Sequence, residues 1–484
     1  MLSTDLKVNE EILQDRLGID KSFDVDKRSL FIHDVGIKLY FVTGLCDISH
    51  LIDILDKLMF VDSMERKKRD TKEMMLNRLT HMQVELTDEY DTIIKQVLSG
   101  LVVILIDGES EALIIDARRY PGRGPEEPDT ERVVRGSRDG FTENIIENTA
   151  LTRRRIRDEN LRNVMVQVGR RSKTDICVAY IEGVADQNSV DIVFKELEQI
   201  DIDGLTMADK VVEEYIVKQG MNPFPMVRYT ERPDVCATHL LEGHVVCYVD
   251  SSPSVMIFPT TFFHHVQHAE EYRQAPAIGT FLRWVRFSGM LFSLLVLPLW
   301  LLFVLEPTLL PDHLSFIGPN EMSNVPIFWQ ILFAELGIEL LRMAAIHTPS
   351  PLATALGLVA ALLIGEVAIS VGLFVPEVIL YVAISAVGMF ATPSYELAFA
   401  MKIMRILLIT AVAIAGLPGF VIGLTVMMLF ISTRKALETP YFWPFIPFYP
   451  IACLDIFFRK PVPLKLLRPS IVHPPDRIKQ RTSS

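Results

Sequence analysis

Hydrophobic residues are distributed differently in the two parts of the chain. Up to about residue 286, short apolar runs alternate with charged segments, as is typical of a soluble α/β protein. Beyond that point the apolar runs lengthen. Four of them reach the roughly 20 residues that a helix needs to cross a bilayer, and they cover 287–305, 352–375, 378–400 and 403–430. The pattern predicts an α/β soluble N-terminal region followed by an all-α polytopic membrane domain over 276–458.

Two further apolar segments fit a simple spanning helix less well. Segment 325–346 carries Glu335, Glu339 and Arg342, and segment 441–458 is interrupted by three prolines. Broken backbone is tolerated only at the membrane interface or inside protein, and the Tyr and Trp content of 441–458 suits the headgroup layer. Two topologies remain open: four full spans with 325–346 re-entrant, or six crossings that include both segments.

The soluble region contains an internal repeat. Gly243 lies 143 residues after Gly100, and around each glycine the sequence predicts a helix, a stop, a β-branched strand, a tight turn and a second strand. A chance similarity between two hairpins is the alternative. The repeat favours two related α/β subdomains, which we place at 31–140 and 141–275, behind a polar lead-in at 1–30.

Charge is divided unevenly between the two parts. The first 286 residues hold 36 basic and 49 acidic side chains, whereas residues 287–484 hold 12 and 11. An acidic soluble region argues against nucleic-acid binding, which needs a basic surface. Because the first residues do not form a signal peptide, we expect the soluble region in the cytoplasm. The bias of Lys and Arg also predicts a basic cytoplasmic tail at 459–484 and an external loop at 311–324.

Motifs of catalysis and cofactor binding are absent from the sequence. It has no P-loop, no dinucleotide glycine pattern and no Gly-x-Ser-x-Gly elbow, so we expect neither an enzyme nor a cofactor. His264, His265 and His268 precede the membrane domain and could hold zinc, but no His-Glu-x-x-His pattern accompanies them. We therefore predict no metal site and favour an interfacial amphipathic helix for this segment.

An arginine-rich run, 153–157, ends a predicted helix. Cations suit the C-terminal end of a helix dipole. The run therefore predicts either a contact with an acidic partner subunit or lipid phosphate, or a solvated helix face.

Candidate packing and pore residues fall in segment 352–375. Small residues recur there at every fourth position, which lets two membrane helices approach closely: Ala353, Gly357, Ala361 and Gly365. A second face of the same helix carries the candidate pore lining: Val359, Leu362, Glu366 and Ser370. An ionisable residue inside a span usually faces protein or water. Glu366 therefore indicates a water-lined path, and a structural Glu bonded to a neighbouring helix is the alternative.

Several motifs in a fixed order carry a resemblance to a known family. They comprise Glu127-Pro128, Glu131, Arg135-Gly136, Asp139-Gly140-Phe141, Glu143-Asn144, Asn148, Arg153-Arg154-Arg155, Ile200-Asp201-Ile202-Asp203, Pro223-Phe224-Pro225, Glu231-Arg232-Pro233, Gly243, Asp250 and Pro253. This set resembles the motif region of the GerA family, the A subunits of spore germination receptors. Segments 120–125, 252–256 and 259–273 point to one branch of that family.

The resemblance implies a multi-pass protein of the cell membrane, in the spore inner membrane of spore-forming bacteria. It also implies a homo-oligomer, such as a pentamer, that works as a cation channel in germination. Membrane lipid and other spore inner-membrane proteins, including dipicolinate channel components, are the implied partners. No ligand-binding residues are carried over. A non-conducting scaffold or accessory protein of the dipicolinate release apparatus is the alternative, and a membrane-bound enzyme has no supporting motif.

Overall fold

The chain forms an N-terminal α/β region with two sheets and a C-terminal helical domain. The computed structural model describes residues 1–32, 35–59, 72, 75–76, 84–119, 131–319, 324–347 and 366–480. Within these residues the division into an α/β part and a helical part agrees with the one that the hydrophobic pattern predicts.

The first sheet has the strand order β1-β2-β4-β5-β3, and all neighbouring pairs are antiparallel. Its strands are Val25–Ile32 (β1), Val35–Val42 (β2), Val84–Thr87 (β3), Val102–Ile106 (β4) and Ala112–Ile115 (β5). One face is covered by α1 (Leu6–Leu17) and α3 (Tyr90–Leu98), and the other by α2 (Ile48–Met59). Because helices cover both faces, β4 is buried along its whole length and reads as one apolar run.

The second sheet repeats this arrangement, with the order β6-β7-β9-β10-β8. Its strands are Leu161–Val168 (β6), Thr174–Ile181 (β7), Arg228–Thr230 (β8), Val245–Val249 (β9) and Val255–Phe258 (β10). One face is covered by α4 (Ile145–Arg153) and α7 (Pro233–Glu242), and the other by α5 (Gln187–Glu198) and α6 (Ala208–Val217).

The internal repeat extends to the pairing register of the strands. Val102 pairs with Ile115 in the first sheet, and Val245 pairs with Phe258 in the second, so both partners are shifted by 143 residues. A shift of one residue would turn every side chain to the opposite face. The shared strand order and register confirm two related α/β subdomains.

The subdomain boundaries differ from the expected ones. The lead-in 1–30 is not separate, because α1 and most of β1 belong to the first sheet. Helix α1 has a polar exposed face and an apolar buried face that packs on the sheet. In the sequence, the many polar residues of the exposed face obscure the apolar ones. At the other boundary, the Phe141 N–H donates to the Glu231 carbonyl at 2.8 Å, and Arg232 donates to the Glu131 carbonyl at 3.1 Å. Residues 131–140 therefore pack with the second subdomain.

A buried ion pair joins the two subdomains. Arg153, at the end of α4, contacts Asp24 at 2.8 Å, and both side chains are 1% exposed. Asn163 also donates to Asp24, at 3.0 Å. Arg155 pairs with Asp139 at 2.5 Å inside the second subdomain. For these two arginines, the expectation of a partner contact or a solvated face was wrong, because the chain itself supplies the carboxylates.

The helical domain begins after a short helix, α8 (Ala269–Arg273), that closes the α/β region. Its helices are Pro276–Leu305 (α9), Ile327–His347 (α10), Pro376–Phe390 (α11), Tyr395–Thr433 (α12) and Pro450–Phe457 (α13). By length and composition, two of the described helices are candidate membrane spans, Pro276–Leu305 and Tyr395–Thr433.

The long helix α12 folds back on itself at Gly416. This residue has φ 57° and ψ −133°, which lies outside the helical region and is open mainly to glycine. Leu397 and Ile431 belong to one hydrophobic cluster, although about 50 Å would separate them in a continuous helix. Gly423 also lies against Leu408, a contact that a continuous helix would not allow. The expected single span 403–430 is therefore wrong: 395–415 and 417–433 are two antiparallel arms.

The described helices connect two layers of the domain. We call the end that contacts the α/β region the near layer and the opposite end the far layer. Helix α9 runs from near to far, α10 and α11 run back, and the two arms of α12 run out and return. Within the described residues the domain is thus traversed five times. Segment 325–346 is a full traverse and not re-entrant, because its charged side chains find partners inside the domain.

Two other expected spans also differ from the described helices. Segment 378–400 is interrupted, because α11 ends at Phe390 and α12 begins only at Tyr395, after Pro393. Of segment 352–375, residues 352–365 lie outside the described part, and the chain reaches the far layer at Val375.

The last part of the chain stays on the near side. Segment 441–458 does not cross the domain, since Tyr441 and Ile456 both pack in the near layer. The tail then returns to the end of α7: Arg468 donates to the Leu241 carbonyl at 3.0 Å, and Lys479 pairs with Glu242 at 2.6 Å. The α/β region and the tail therefore lie on the same side of the helical domain, as the charge bias predicts.

Candidate functional site: a buried charge network in the helical domain

Two helices of the helical domain bring charged side chains to the same buried place. Glu335 and Glu339 are one turn apart on α10, and Lys402 and Arg405 are three residues apart on the first arm of α12. Residues three or four apart share one face of a helix. The helices pack with these faces together, so that two carboxylates meet two cations.

The contacts in this network are close, and those around Glu335 are buried. Lys402 Nζ lies 3.0 Å from Glu335 Oε2 and also contacts Glu339. Arg405 Nη2 donates to Glu335 Oε2 at 2.9 Å. Its other terminal nitrogen donates to the Ser293 carbonyl at 2.5 Å and to the hydroxyl at 2.9 Å, which ties α9 into the network. The Glu335 and Arg405 side chains are only 3% and 1% exposed.

Arg342 extends the network to α11 and to the start of α12. Its guanidinium donates to Glu339 at 2.6 Å and lies 4.6 Å from the ring centroid of Phe399. It also lies over the rings of Phe390 and Tyr395. Aromatic faces attract cations most strongly where water is excluded. Four helices, α9 to α12, are therefore held by one set of polar contacts.

The network is suited to fixing helices, because each carboxylate already contacts cations of the protein. An isolated charge away from water is strongly unfavourable, and removing one partner of a buried pair typically costs about 3–5 kcal/mol. Three cations face two carboxylates, so the cluster does not attract a further cation. The arrangement therefore favours a fixed packing of these four helices over ion binding at this place.

Glu366 has a different environment from the two network carboxylates. Its side chain is exposed, and in the described part of the chain it forms no ion pair. Ser370, on the same short helical stretch, is also exposed, and its hydroxyl donates to the Val367 carbonyl at 2.8 Å. Both residues thus lie on the surface of the single chain. The other predicted pore and packing residues lie outside the described residues: Val359, Leu362, Ala353, Gly357, Ala361 and Gly365.

Two of the histidines before the helical domain, His264 and His268, are partly buried caps of short helices, and the third, His265, is buried. His264 Nδ1 accepts from the Thr261 N–H at 3.2 Å at the start of a 3₁₀ turn, Phe262–His265. His268 Nδ1 accepts from the Glu270 N–H, also at 3.2 Å, at the start of α8. The favoured interfacial amphipathic helix was wrong, because 262–268 is enclosed between the second subdomain and the near layer.

A second group of buried histidines adjoins the 3₁₀ turn. The rings of His239, His244 and His264 lie 5.0 to 6.1 Å apart. Burial lowers the pKa of His244 to about 4, and burial together with the nearby Arg286 lowers the pKa of His268 to about 4. The rings are therefore neutral near pH 7. Among the described residues, no group of three or more His, Cys, Asp or Glu is arranged to hold a metal ion.

Lys402 and Arg405 are two network residues that the hydrophobic pattern of the sequence does not single out. Lys402 lies just before the apolar run 403–430, and Arg405 lies near its start, so neither interrupts the run. The spacing of the charged residues in two apolar segments could have predicted the network. Two cations three residues apart in one apolar segment match two carboxylates four residues apart in another. Such complementary charges in two membrane segments predict that the segments pack together.

Comparisons with known proteins identify relatives along almost the whole chain. Residues 11–471 match the family described as Bacillus/Clostridium GerA spore germination protein. The chain is 56% identical to stage V sporulation protein AF of Bacillus subtilis (strain 168), over 98% of this chain and 97% of that protein. It is 29% identical to spore germination protein KA of the same organism, over 97% of this chain and 88% of that protein.

A solved structure also matches the α/β region. It is the N-terminal domain of the A subunit of the Bacillus megaterium spore germinant receptor GerK3, at 27% identity and a TM-score of 0.43. The match covers 54% of this chain and 97% of that one.

Proposed function

The chain belongs to the GerA family of spore germination proteins, and on this premise we propose that it is a membrane subunit of a germination complex that forms an oligomeric cation channel. The channel releases ions during germination. The proposal assigns no catalytic residue and no cofactor to the chain. It places the protein in the spore inner membrane as a multi-pass protein.

The helical domain supports the membrane placement. Helix α9 is apolar along most of its length, and many of its large side chains are exposed on the single chain, among them Leu291 and Phe292. In water such a surface would be unfavourable, whereas in a bilayer it is the expected one. The α/β region and the tail lie on one side of this domain, which agrees with the bias of Lys and Arg along the chain.

The exposed Glu366 is the observation that carries the channel proposal. A charge that faces lipid is unfavourable, by about 2.5–3.5 kcal/mol at the centre of a span on insertion scales. The cost is avoided when several copies surround a water-filled path and Glu366 faces that path. A ring of carboxylates, one from each copy, attracts cations. We propose a homo-oligomer such as a pentamer, with Glu366 and Ser370 as polar lining and Val359 and Leu362 as the apolar constriction.

The proposed packing contact between copies uses the small-residue stripe. Ala353, Gly357, Ala361 and Gly365 let two helices approach closely. Gly357→Leu adds bulk at this contact and should weaken the oligomer in detergent, as measured by native mass spectrometry. Gly337→Leu is the matched control, because a side chain at Gly337 has open space around it. If the oligomer is unchanged in both variants, the stripe instead packs within one chain or faces lipid.

Spores provide the test of ion release. Leu362→Ala should widen the apolar constriction, which closes a pore by dewetting, and the resting spore should then lose potassium early. Glu366→Gln should slow cation release during germination. The exposed Glu438, which accepts a hydrogen bond from Asn188 of the second subdomain, provides the control Glu438→Gln, which should leave release unchanged. The channel proposal fails if neither Leu362→Ala nor Glu366→Gln changes release at normal protein abundance.

A non-conducting scaffold or accessory protein of the dipicolinate release apparatus is the second candidate. The charge network favours it to the extent that α9 to α12 form one fixed unit with both carboxylates engaged. A scaffold needs such a fixed unit and needs no exposed Glu366. Under this alternative, loss of the chain impairs the dipicolinate channel components, its proposed partners, while Glu366→Gln has no effect.

A further inference from the structure

A strip of exposed apolar residues, close together in the sequence, lies on the near side of the helical domain outside the traversing helices. Helix α13 buries Cys453 and Ile456 against the domain and turns its other face outward. The strip continues beyond α13 into the first part of the tail. We call this strip the collar, and it consists of Ile451, Leu454, Phe458, Val462, Leu464 and Leu467.

The collar lies at the level where α9 leaves the α/β region. Trp284 of α9 donates from Nε1 to the Phe457 carbonyl at 2.9 Å, and its ring lies 5.4 Å from that of Phe458. Arg283 donates to the Asp455 carbonyl at 2.8 Å. The apolar run of α9 begins a few residues later. The collar therefore adjoins the boundary at which the first spanning helix enters the bilayer.

Two lysines stand among the apolar residues of the collar. Lys460 pairs with Asp455 at 2.5 Å and is still 40% exposed. Lys465 Nζ lies 5.1 Å from the ring centroid of Tyr272, between the exposed Leu464 and Leu466. Arg459 differs from both, because its guanidinium is used inside the protein, where it donates to the Tyr272 carbonyl at 2.7 Å. Both lysine heads thus lie at the same level as the exposed leucines, Lys460 beside Asp455 and Lys465 beside Tyr272.

We propose that the collar binds acidic phospholipids of the near-side leaflet. Apolar side chains that flank lysines fit a ligand with an acyl chain and an anionic head group. The collar is continuous with the surface of α9, which the same leaflet covers. The inference rests on the proposed membrane placement of the helical domain and is independent of ion conduction. The tail is then attached at two places, to the leaflet through the collar and to the end of α7 through Arg468 and Lys479.

The test measures contact with lipid in the full-length protein. A fluorophore is attached to Leu464→Cys in vesicles with brominated acyl chains, made of phosphatidylglycerol or of phosphatidylcholine. The five native cysteines are buried and are poor labelling sites. Two control positions are labelled in the same way: Leu291→Cys on α9, which faces the bilayer, and Ile478→Cys in the distal tail.

We expect bromine to quench the label at Leu464 several-fold more than the label at Ile478, and more in phosphatidylglycerol than in phosphatidylcholine. The double substitution Lys460→Gln/Lys465→Gln should remove the preference for phosphatidylglycerol. If Leu291 is not quenched, the membrane placement itself is wrong. If Leu291 is quenched and Leu464 is not, the collar inference alone is overturned. A label at Leu464 that is shielded only in the oligomer would assign the collar to protein contact and would also overturn the inference.

Discussion

Glu335 lies buried in the helical domain because two cations, Lys402 and Arg405, neutralise its charge. Its position inside an apolar segment is visible in the sequence and marks the segment as unusual. Its partners, Lys402 and Arg405, lie more than 60 residues further along the chain. A carboxylate without a visible partner favours a re-entrant segment, whereas a paired one permits a full traverse. Pairing between distant segments is a property of packing, which the local pattern does not contain.

Removing one carboxylate from the network should destabilise the protein strongly. Glu335→Leu leaves Lys402 and Arg405 buried without their shared partner, and we expect a loss of about 3–5 kcal/mol. Thermal or denaturant unfolding in detergent measures it. The double variant Glu335→Leu/Arg405→Leu should lose less than the sum of its single variants, because the two residues are coupled. Losses that simply add, or a single loss below about 1 kcal/mol, would contradict the role given to the network.

Acidification should destabilise the junction of the α/β region and the helical domain. The pKa of both His244 and His268 is lowered to about 4 in the folded protein, against about 6.5 in the unfolded chain. Between these values the unfolded chain takes up protons that the folded chain does not, so stability falls as the pH drops from about 6.5 to about 4. Each histidine contributes at most about 1.4 kcal/mol per pH unit.

Unfolding of the full-length protein at a series of pH values measures this effect. His268→Asn, which keeps an oxygen to cap α8, should flatten the dependence in the same window. A stability that is constant or rises as the pH falls from about 6.5 to about 4, or an unchanged slope in His268→Asn, would contradict the assignment.

At the scale of elements, the fold-back at Gly416 is the largest difference from expectation. The run 403–430 is apolar without a charged interruption beyond Arg405, and length and hydropathy alone predict one helix. The turn depends on a backbone conformation that glycine allows and on Glu306, whose carboxylate accepts from the Leu417 N–H at 2.9 Å. Glu306 is distant in the sequence, so only the glycines and the proline near 416 hint at the turn.

Gly416→Ala should therefore weaken the hairpin. The backbone at this position is strained for any residue with a Cβ, typically by about 1–3 kcal/mol, and the added Cβ would also meet the Glu306 carboxylate. Gly337→Ala is the matched control, because Gly337 lies in α10 with open space around it and should be neutral or slightly stabilising. Equal unfolding midpoints for both variants would argue against a strained turn.

At the scale of the whole molecule, the internal repeat is the feature that the sequence predicted best. Gly100 and Gly243 end α3 and α7 with φ of 90° and 103°, values that favour glycine. Both positions therefore favour glycine, and this explains why the repeat can be recognised in the sequence around them. The ends of the subdomains were harder to place, because α1 carries a polar face and because 131–140 crosses to the second subdomain. Those assignments depend on contacts between distant segments.

The arrangement of the whole chain also predicts its orientation in the membrane. A cysteine at the exposed His313, in the far-side connection, should react with an impermeant maleimide added from outside. Cysteines at Ile478 and at the fully exposed Met221 should react only after permeabilisation, because tail and α/β region share one side. Opposite labelling of Ile478 and Met221 would contradict the packing of the tail on α7.

The conductance of the purified protein in planar bilayers distinguishes a channel from a non-conducting scaffold. In a potassium chloride gradient, with and without a membrane partner, we expect unitary currents that reverse near the potassium equilibrium potential. Glu366→Gln should move the reversal potential toward zero, and Glu438→Gln should leave it in place. The absence of currents from the unmodified protein under both conditions, or the same reversal potential in Glu366→Gln, would contradict the claim that this chain forms a cation channel.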